Sequence, residues 1–434
     1  MRTVATLSVQ SKRSISLKSI SIFVSLFLLT ISSSLFIKNE GLTDSIEKVT
    51  FAILLSSLVI SYLSAQSSYK KKYLNRALFI IFVLFSIGII SQNLLVSRKL
   101  ILLLTVYAIL LASIFGEKYL NSINLLRLAS YSIFWGSILV YLLAIFNELK
   151  TTGSTAGILG SIFSFNGGVV FKNYFGGNML SIFIGIYISR QCGKKCFSDI
   201  ILLVLTVLGI VISGSFGSYL LLIVFFCMMQ AKYFKKLQKL KRDIFIFFLI
   251  LLGITVCWYF YQEIALNIST YQYRVKGVIN YYNYIIDRPF ELWFGNDDLT
   301  VNTGSNYVSS FRRIFGYDGT MEFALLNIVI KNGLIGLIGY IYIFIRSFRI
   351  ALKSSNWTYK TAMIAIIVTM VASALVETYI QTIHAVFGIF GYLAIAGLAG
   401  LVHERQQEQL MISENLGKYS IQSSRNTNFR RVRD

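Results

Sequence analysis

The chain has 434 residues, 55% of them hydrophobic and 14% charged, with a mean hydropathy of +0.66. A net charge of +22 could serve a nucleic-acid binder, but no compact basic domain exists. Lys and Arg sit instead in short hinges between apolar runs, the pattern of a membrane protein with basic cytoplasmic loops. A water-soluble fold has no means of hiding this much apolar surface.

A spanning helix needs about 20 largely apolar residues. Runs of that kind predict an all-α, polytopic integral membrane protein of about twelve transmembrane helices. They lie at 17–37, 48–65, 77–96, 100–117, 126–147, 173–190, 199–214, 216–231, 243–261, 321–347, 360–377 and 382–402. Residues 1–16 form a basic N-terminal segment with Arg2, Lys12 and Arg13. Every second hinge after it is basic: Lys70, Lys71, Lys72 and Arg76; Lys118 and Arg127; Arg190, Lys194 and Lys195; Lys232 to Arg242; Arg346 to Lys360. The tail, 403–434, is basic too. Both termini are therefore expected in the cytoplasm of a cell that keeps this protein in its cytoplasmic membrane. The expected organisation is spans one to nine over 17–261, a large outer loop over 262–320, and spans ten to twelve over 321–402. The turn SGSFGS, 213–218, divides an apolar block too long for one span. The cysteines Cys192, Cys196, Cys227 and Cys257 have too few histidines near them for a metal site, and no metal is expected.

Two connections break the economy of short hinges, and both fall on the outer face. One is 148–172. The other is 262–320, rich in aromatics that include Tyr281, Tyr282, Tyr284 and Trp293. Within it, Val275, Val278, Ile279, Tyr282, Ile285 and Ile286 recur at helical spacing, which predicts an amphipathic helix lying in the membrane interface. Pro289 is the single proline of the chain. It should stop that helix and open a shaped loop, with Gly295 allowing a second tight turn. In span ten, Asn327, Lys331 and Asn332 interrupt the apolar run. Lys331 is read as snorkelling to the interface, and Gly333, Gly336 and Gly339 as small residues for close helix packing.

Basic residues are scarce on the outer face, so those present are informative. Lys172, Arg274, Arg288, Arg312 and Arg313 suit a phosphate or diphosphate, unless they merely pair with Asp287, Glu291, Asp297, Asp298 and Asp318. Aromatics beside them, such as Trp293, suit the faces of sugars. Asn173 sits at a span mouth, as do Asp318, Glu322, Glu377 and His384.

Four segments, in order, resemble the O-antigen polymerase and O-antigen ligase family: GGVVFKNYFGG (167–177), SGSFGSYL (213–220), RVKGVINYYNYIIDRPFELWFG (274–295) and TMEFALLNIVIKNGLIGLIG (320–339). Phe216 stands where many members carry Arg, and Glu322 where ligases carry His, which favours a polymerase over a ligase. The resemblance implies a membrane glycosyltransferase acting on the outer face, with an undecaprenyl-diphosphate-linked oligosaccharide as donor and no cofactor. A chain-length regulator and a flippase are the protein partners it implies, with membrane lipid around it and no nucleic acid. Arg274 matches the family position for stabilising the leaving diphosphate, with Lys172, Arg288, Arg312 and Arg313 behind it. Glu322 and Asp318 are the first candidates for activating the acceptor hydroxyl; Glu377 and His384 come second. Asn173, Trp293 and His384 are expected to line the substrate. The competing readings are a lipid-linked oligosaccharide flippase and an O-antigen ligase.

Overall fold

The structure, a computed structural model, describes residues 16–64, 76–92, 94–152, 165–193, 195–234, 258, 269–300, 302–303, 308–309, 324–382 and 385–404. The helices are α1 Leu17–Ser32, α2 Leu35–Asn39, α3 Thr43–Leu63, α4 Arg76–Ser91, α5 Val96–Tyr119, α6 Ile123–Thr152 and α7 Lys172–Cys192. They continue as α8 Phe197–Ser213, α9 Phe216–Phe234, α10 Ser269–Ile285, α11 Pro289–Phe294, α12 Ala324–Lys353, α13 Trp357–Val376 and α14 Val386–Glu404. Among the described residues, a two-residue antiparallel ribbon, β1 Asn302–Thr303 with β2 Val308–Ser309, is the small departure from helical structure.

Six of the described helices are long and apolar enough to cross a membrane: α3, α5 from Lys99, α6, α12, α13 and α14. α1, α8 and parts of α4 and α9 are apolar but shorter. α8, with 17 residues, rises about 25 Å at 1.5 Å per residue, short of a hydrocarbon core of about 30 Å. The expected span over 243–261 lies outside the described residues, apart from residue 258.

Two expected spans are not single helices. The run 17–37 divides at Ser33–Ser34, because another segment of backbone competes for its hydrogen bonds. Leu35 N–H donates to the Gly168 carbonyl at 2.9 Å and Val170 N–H to the Ser33 carbonyl at 3.1 Å. The run 321–347 is broken at Gly333, whose φ of 66° and ψ of −170° lie far from helical values.

The bundle has two unlike ends. At one, ion pairs join the hinges: Arg346 to Glu117 at 2.9 Å, Lys118 to Glu404 at 2.9 Å, and Arg127 to Asp199 at 3.2 Å. Lys18 donates to Asn121 Oδ1 there at 2.5 Å. At the other end gather the α1–α2 break, residues 165–172, the SGSFGS turn and the α13–α14 turn. α14 is almost wholly buried, as is α7 between Phe175 and Ser189. α7 is rich in Gly, Ser and Asn, and small residues let its neighbours approach closely. A Cβ added at Gly185 would stand 2.0 Å from Ser130 Oγ, and one at Gly177 3.2 Å from the Tyr379 hydroxyl.

α10 forms where the apolar spacing predicted, but its buried seam differs from the one expected. Tyr281 and Ile285 pack on Leu299 and Ile330, whereas Val278, Ile279, Tyr282 and Ile286 stay exposed. Pro289 occupies the first turn of α11, where a missing N–H costs nothing, so it both separates the helices and starts the second.

Candidate functional site

Two polar clusters occupy the end opposite the basic hinges. The first joins three segments distant in sequence. α7 begins at Lys172, whose exposed ammonium lies 3.4 Å from the Gly214 carbonyl. Gly214 closes α8 in the left-handed conformation. The hydroxyls of Ser215 and Ser218, both buried, lie 3.1 Å apart. A Cβ added at Gly176 would meet Ser218 Oγ at 2.3 Å, so the first turns of α7 and α9 touch through that glycine. On the other side of α9, a Cβ at Gly217 would stand 2.8 Å from Glu377 Oε1.

Glu377 caps the C-terminus of α13 and is 8% exposed. Two residues on, the buried Tyr379 hydroxyl donates to the Asn173 carbonyl at 2.6 Å. Burial, and then the Glu377 charge, hold this phenol well above its usual range, although a Ser218 hydrogen bond pulls it back. It therefore stays a neutral donor. Gln381, 7% exposed, has no hydrogen-bond partner for either amide atom among the described residues. Phe216 is half-exposed at the position where a cation was expected of the family pattern.

The second cluster locks residues 293–297 to the broken helix. Gly295, at φ 84°, lets residues 293–296 run against the α12 backbone; a Cβ there would lie 2.6 Å from the Lys331 carbonyl carbon. Asn296 N–H donates to the Ile330 carbonyl at 2.6 Å. Gln92, 5% exposed, donates to the carbonyls of Phe294 (2.8 Å) and Lys331 (3.1 Å) and accepts from Asp297 N–H (3.1 Å). One side chain thus satisfies three backbone groups that the break and the loop leave open. Replacing Gln92 by Leu strands all three. At about 1–3 kcal/mol for each buried unsatisfied group, unfolding in detergent should move down by several degrees. An unchanged melting temperature would mean that water reaches these groups freely.

Arg288 is held locally. Its guanidinium stacks 3.7 Å above the Tyr284 ring and lies 3.9 Å from Glu291 Oε1. Glu291 Oε2 also accepts from the Tyr284 hydroxyl (3.0 Å) and from Asn296 Nδ2 (3.2 Å). Burial, followed by the Glu291 carboxylate, raises the Tyr284 phenol above its usual range. The pairing of Arg288 with Glu291 is the plainer of its two sequence readings; nearly half of the side chain remains exposed. Trp293 is exposed on α11.

Of the expected site, the structure brings Lys172 and Asn173 together with Glu377, and keeps Arg288 and Trp293 in the second cluster. Arg274 lies on α10, but its side chain falls outside the described residues, as do Asp318, Glu322, Arg312, Arg313 and His384 entirely. Sequence reasoning read Ser215 and Ser218 only as part of the SGSFGS turn and did not single out Tyr379, Gln381 or Gln92. Their signal is weak: isolated polar residues at the ends of apolar runs. α13 packs on both α9 and α12 and so links the two clusters. No protein-family model matches the chain, and no curated protein matches it.

Proposed function

We propose that this chain is a polysaccharide polymerase of the cytoplasmic membrane, with about twelve spans and both termini in the cytoplasm. It joins repeat units of an O-antigen, capsule or exopolysaccharide that arrive on undecaprenyl diphosphate at the outer face. The observation that carries this reading is the meeting of FKNYFGG, SGSFGS and the Glu377–Gln381 turn at the end away from the basic hinges. A cation, buried hydroxyls, a buried carboxylate and an amide without partners among the described residues gather there. That set suits a sugar diphosphate better than an apolar cargo. Chemistry of this kind needs preorganised positive charge where the leaving diphosphate gains charge and an acceptor for the hydroxyl proton. Lys172 offers the first, with Arg274, Arg288, Arg312 and Arg313 available from the outer loop.

Deleting the gene and running the surface glycan on a gel tests the reading. A polymerase deletion removes the long polymer while single repeat units still reach their acceptor. Arg274→Ala in the complementing copy should give the same pattern with the protein still in the membrane, and normal polymer from that variant removes Arg274 from the site. The broken helix α12 favours a second reading, a lipid-linked oligosaccharide flippase, because transporters bind cargo at interrupted helices. In that case deletion prevents any repeat unit from reaching the surface.

A further inference from the structure

The polymerase reading leaves open which group takes the proton of the attacking hydroxyl. Buried acids among the described residues are Glu117, Asp199, Asp297 and Glu377. Glu117 and Asp199 face arginines at the basic end. Asp297 accepts the Thr300 hydroxyl at 2.5 Å within the second cluster. Glu377 is the buried acid of the Lys172 cluster. It lies so close over Gly217 that any side chain there would displace it. Four residues on, the Gln381 amide offers donors and an acceptor, without partners among the described residues, and a buried amide in that state costs free energy until a ligand satisfies it. Both groups of a sugar hydroxyl, its O–H and its lone pairs, match what Gln381 lacks.

We infer that Glu377 is the proton acceptor for the acceptor-sugar hydroxyl, with Gln381 orienting that sugar and Lys172 facing the diphosphate; this rests on the polymerase reading. The hydroxyl oxygen forms a bond to the anomeric carbon. The bond from that carbon to the diphosphate oxygen breaks, and its electron pair leaves on the lipid diphosphate. The hydroxyl proton passes to the Glu377 carboxylate and is later released to water. Gly217 is the positioning residue, because its missing side chain leaves the carboxylate its room.

The test uses the full chain in liposomes, supplied with lipid-linked repeat units extracted from the deletion strain. The wild-type rate should fall on acidification as a carboxylate is protonated. Glu377→Gln should lower the rate by about 100-fold or more, the usual contribution of a general base, and should flatten that acidic limb. Glu377→Asp should keep part of the rate. Gly217→Ala should lower it with the carboxylate still present. A Glu377→Gln rate within threefold of wild type, with the acidic limb intact, overturns the inference and leaves the polymerase reading standing. Where Glu377→Gln does not reach the membrane, Glu377→Asp and Gly217→Ala at matched protein amounts decide, and wild-type rates in both overturn it. Unchanged surface polymer in the deletion strain removes the polymerase reading itself.

Discussion

Gly333→Ala should prevent the chain from reaching its native packing, with a loss of more than about 4 kcal/mol, the range reserved for gross structural conflicts. Two effects add. A residue at φ 66° and ψ −170° occupies a region that is essentially glycine-only, and holding another residue there costs on the order of 1–3 kcal/mol. The new methyl would also stand 2.1 Å from the Trp293 carbonyl oxygen, 2.3 Å from its carbon and 2.5 Å from Phe294 N. All three are backbone atoms, so no side-chain rotation relieves the clash, and α11 must leave α12. Gly41→Ala separates the two effects. Gly41 has φ 70° with nothing within 4 Å of an added Cβ, so only backbone strain of about 1–2 kcal/mol remains. Melting temperatures of the two variants in detergent measure the difference, and equal small shifts would show that α11 is not seated on the break.

Arg346→Ala should be the second large loss, about 3–5 kcal/mol, because it takes the arginine away from a buried carboxylate. Glu117 is 1% exposed, whereas Arg346 is 16% exposed. The effect is therefore asymmetric. Glu117→Ala leaves an arginine that can extend its head toward water and should cost less. Replacing both residues by Met should come close to wild type, since buried ion pairs of this kind often give way to apolar side chains without loss. A double-mutant cycle on thermal stability reads all three terms. If Arg346→Ala proves no worse than Glu117→Ala, the carboxylate is better hydrated than its burial indicates. The surroundings argue against that: a Cβ at Gly400 would lie 2.0 Å from the Glu117 carbonyl oxygen, so α14 backs directly onto α5 there.

The helices were legible because apolar runs and basic hinges are local signals. α3, α5, α6, α13 and α14 appear close to where composition placed them. The breaks were not legible. Residues 17–37 are largely apolar, and the serines at 32–34 alone do not announce that Gly168 and Val170 will take the hydrogen bonds there. GLIGLIG reads as a packing motif, and only the distant residues 293–296 turn Gly333 into a break. The surface helix was read correctly as a helix, yet its buried seam was set by Leu299 and Ile330, which periodicity alone does not contain. At the site, Lys172 stood out as a rare cation at its end of the bundle. Glu377 was read only as a second choice for activating the acceptor hydroxyl, since its nearness to Gly217, far away in sequence, is not visible there. Gln92 and Gln381 were silent for the same reason.

The enclosure of α7 bears on how the protein is made. Its face-to-face contacts replace lipid, so its sequence carries glycine, serine and asparagine where a lipid-facing helix carries leucine. Insertion into a bilayer is decided largely by the hydrophobicity of each segment, and by that measure α7 is the weakest of the long helices. Its entry depends on its neighbours: α6 precedes it in synthesis, while α8, α9, α13 and α14 follow. A truncated chain ending just after α7 should leave that segment outside the membrane, and the end of the bundle that holds Lys172 can form only once α14 has closed over it.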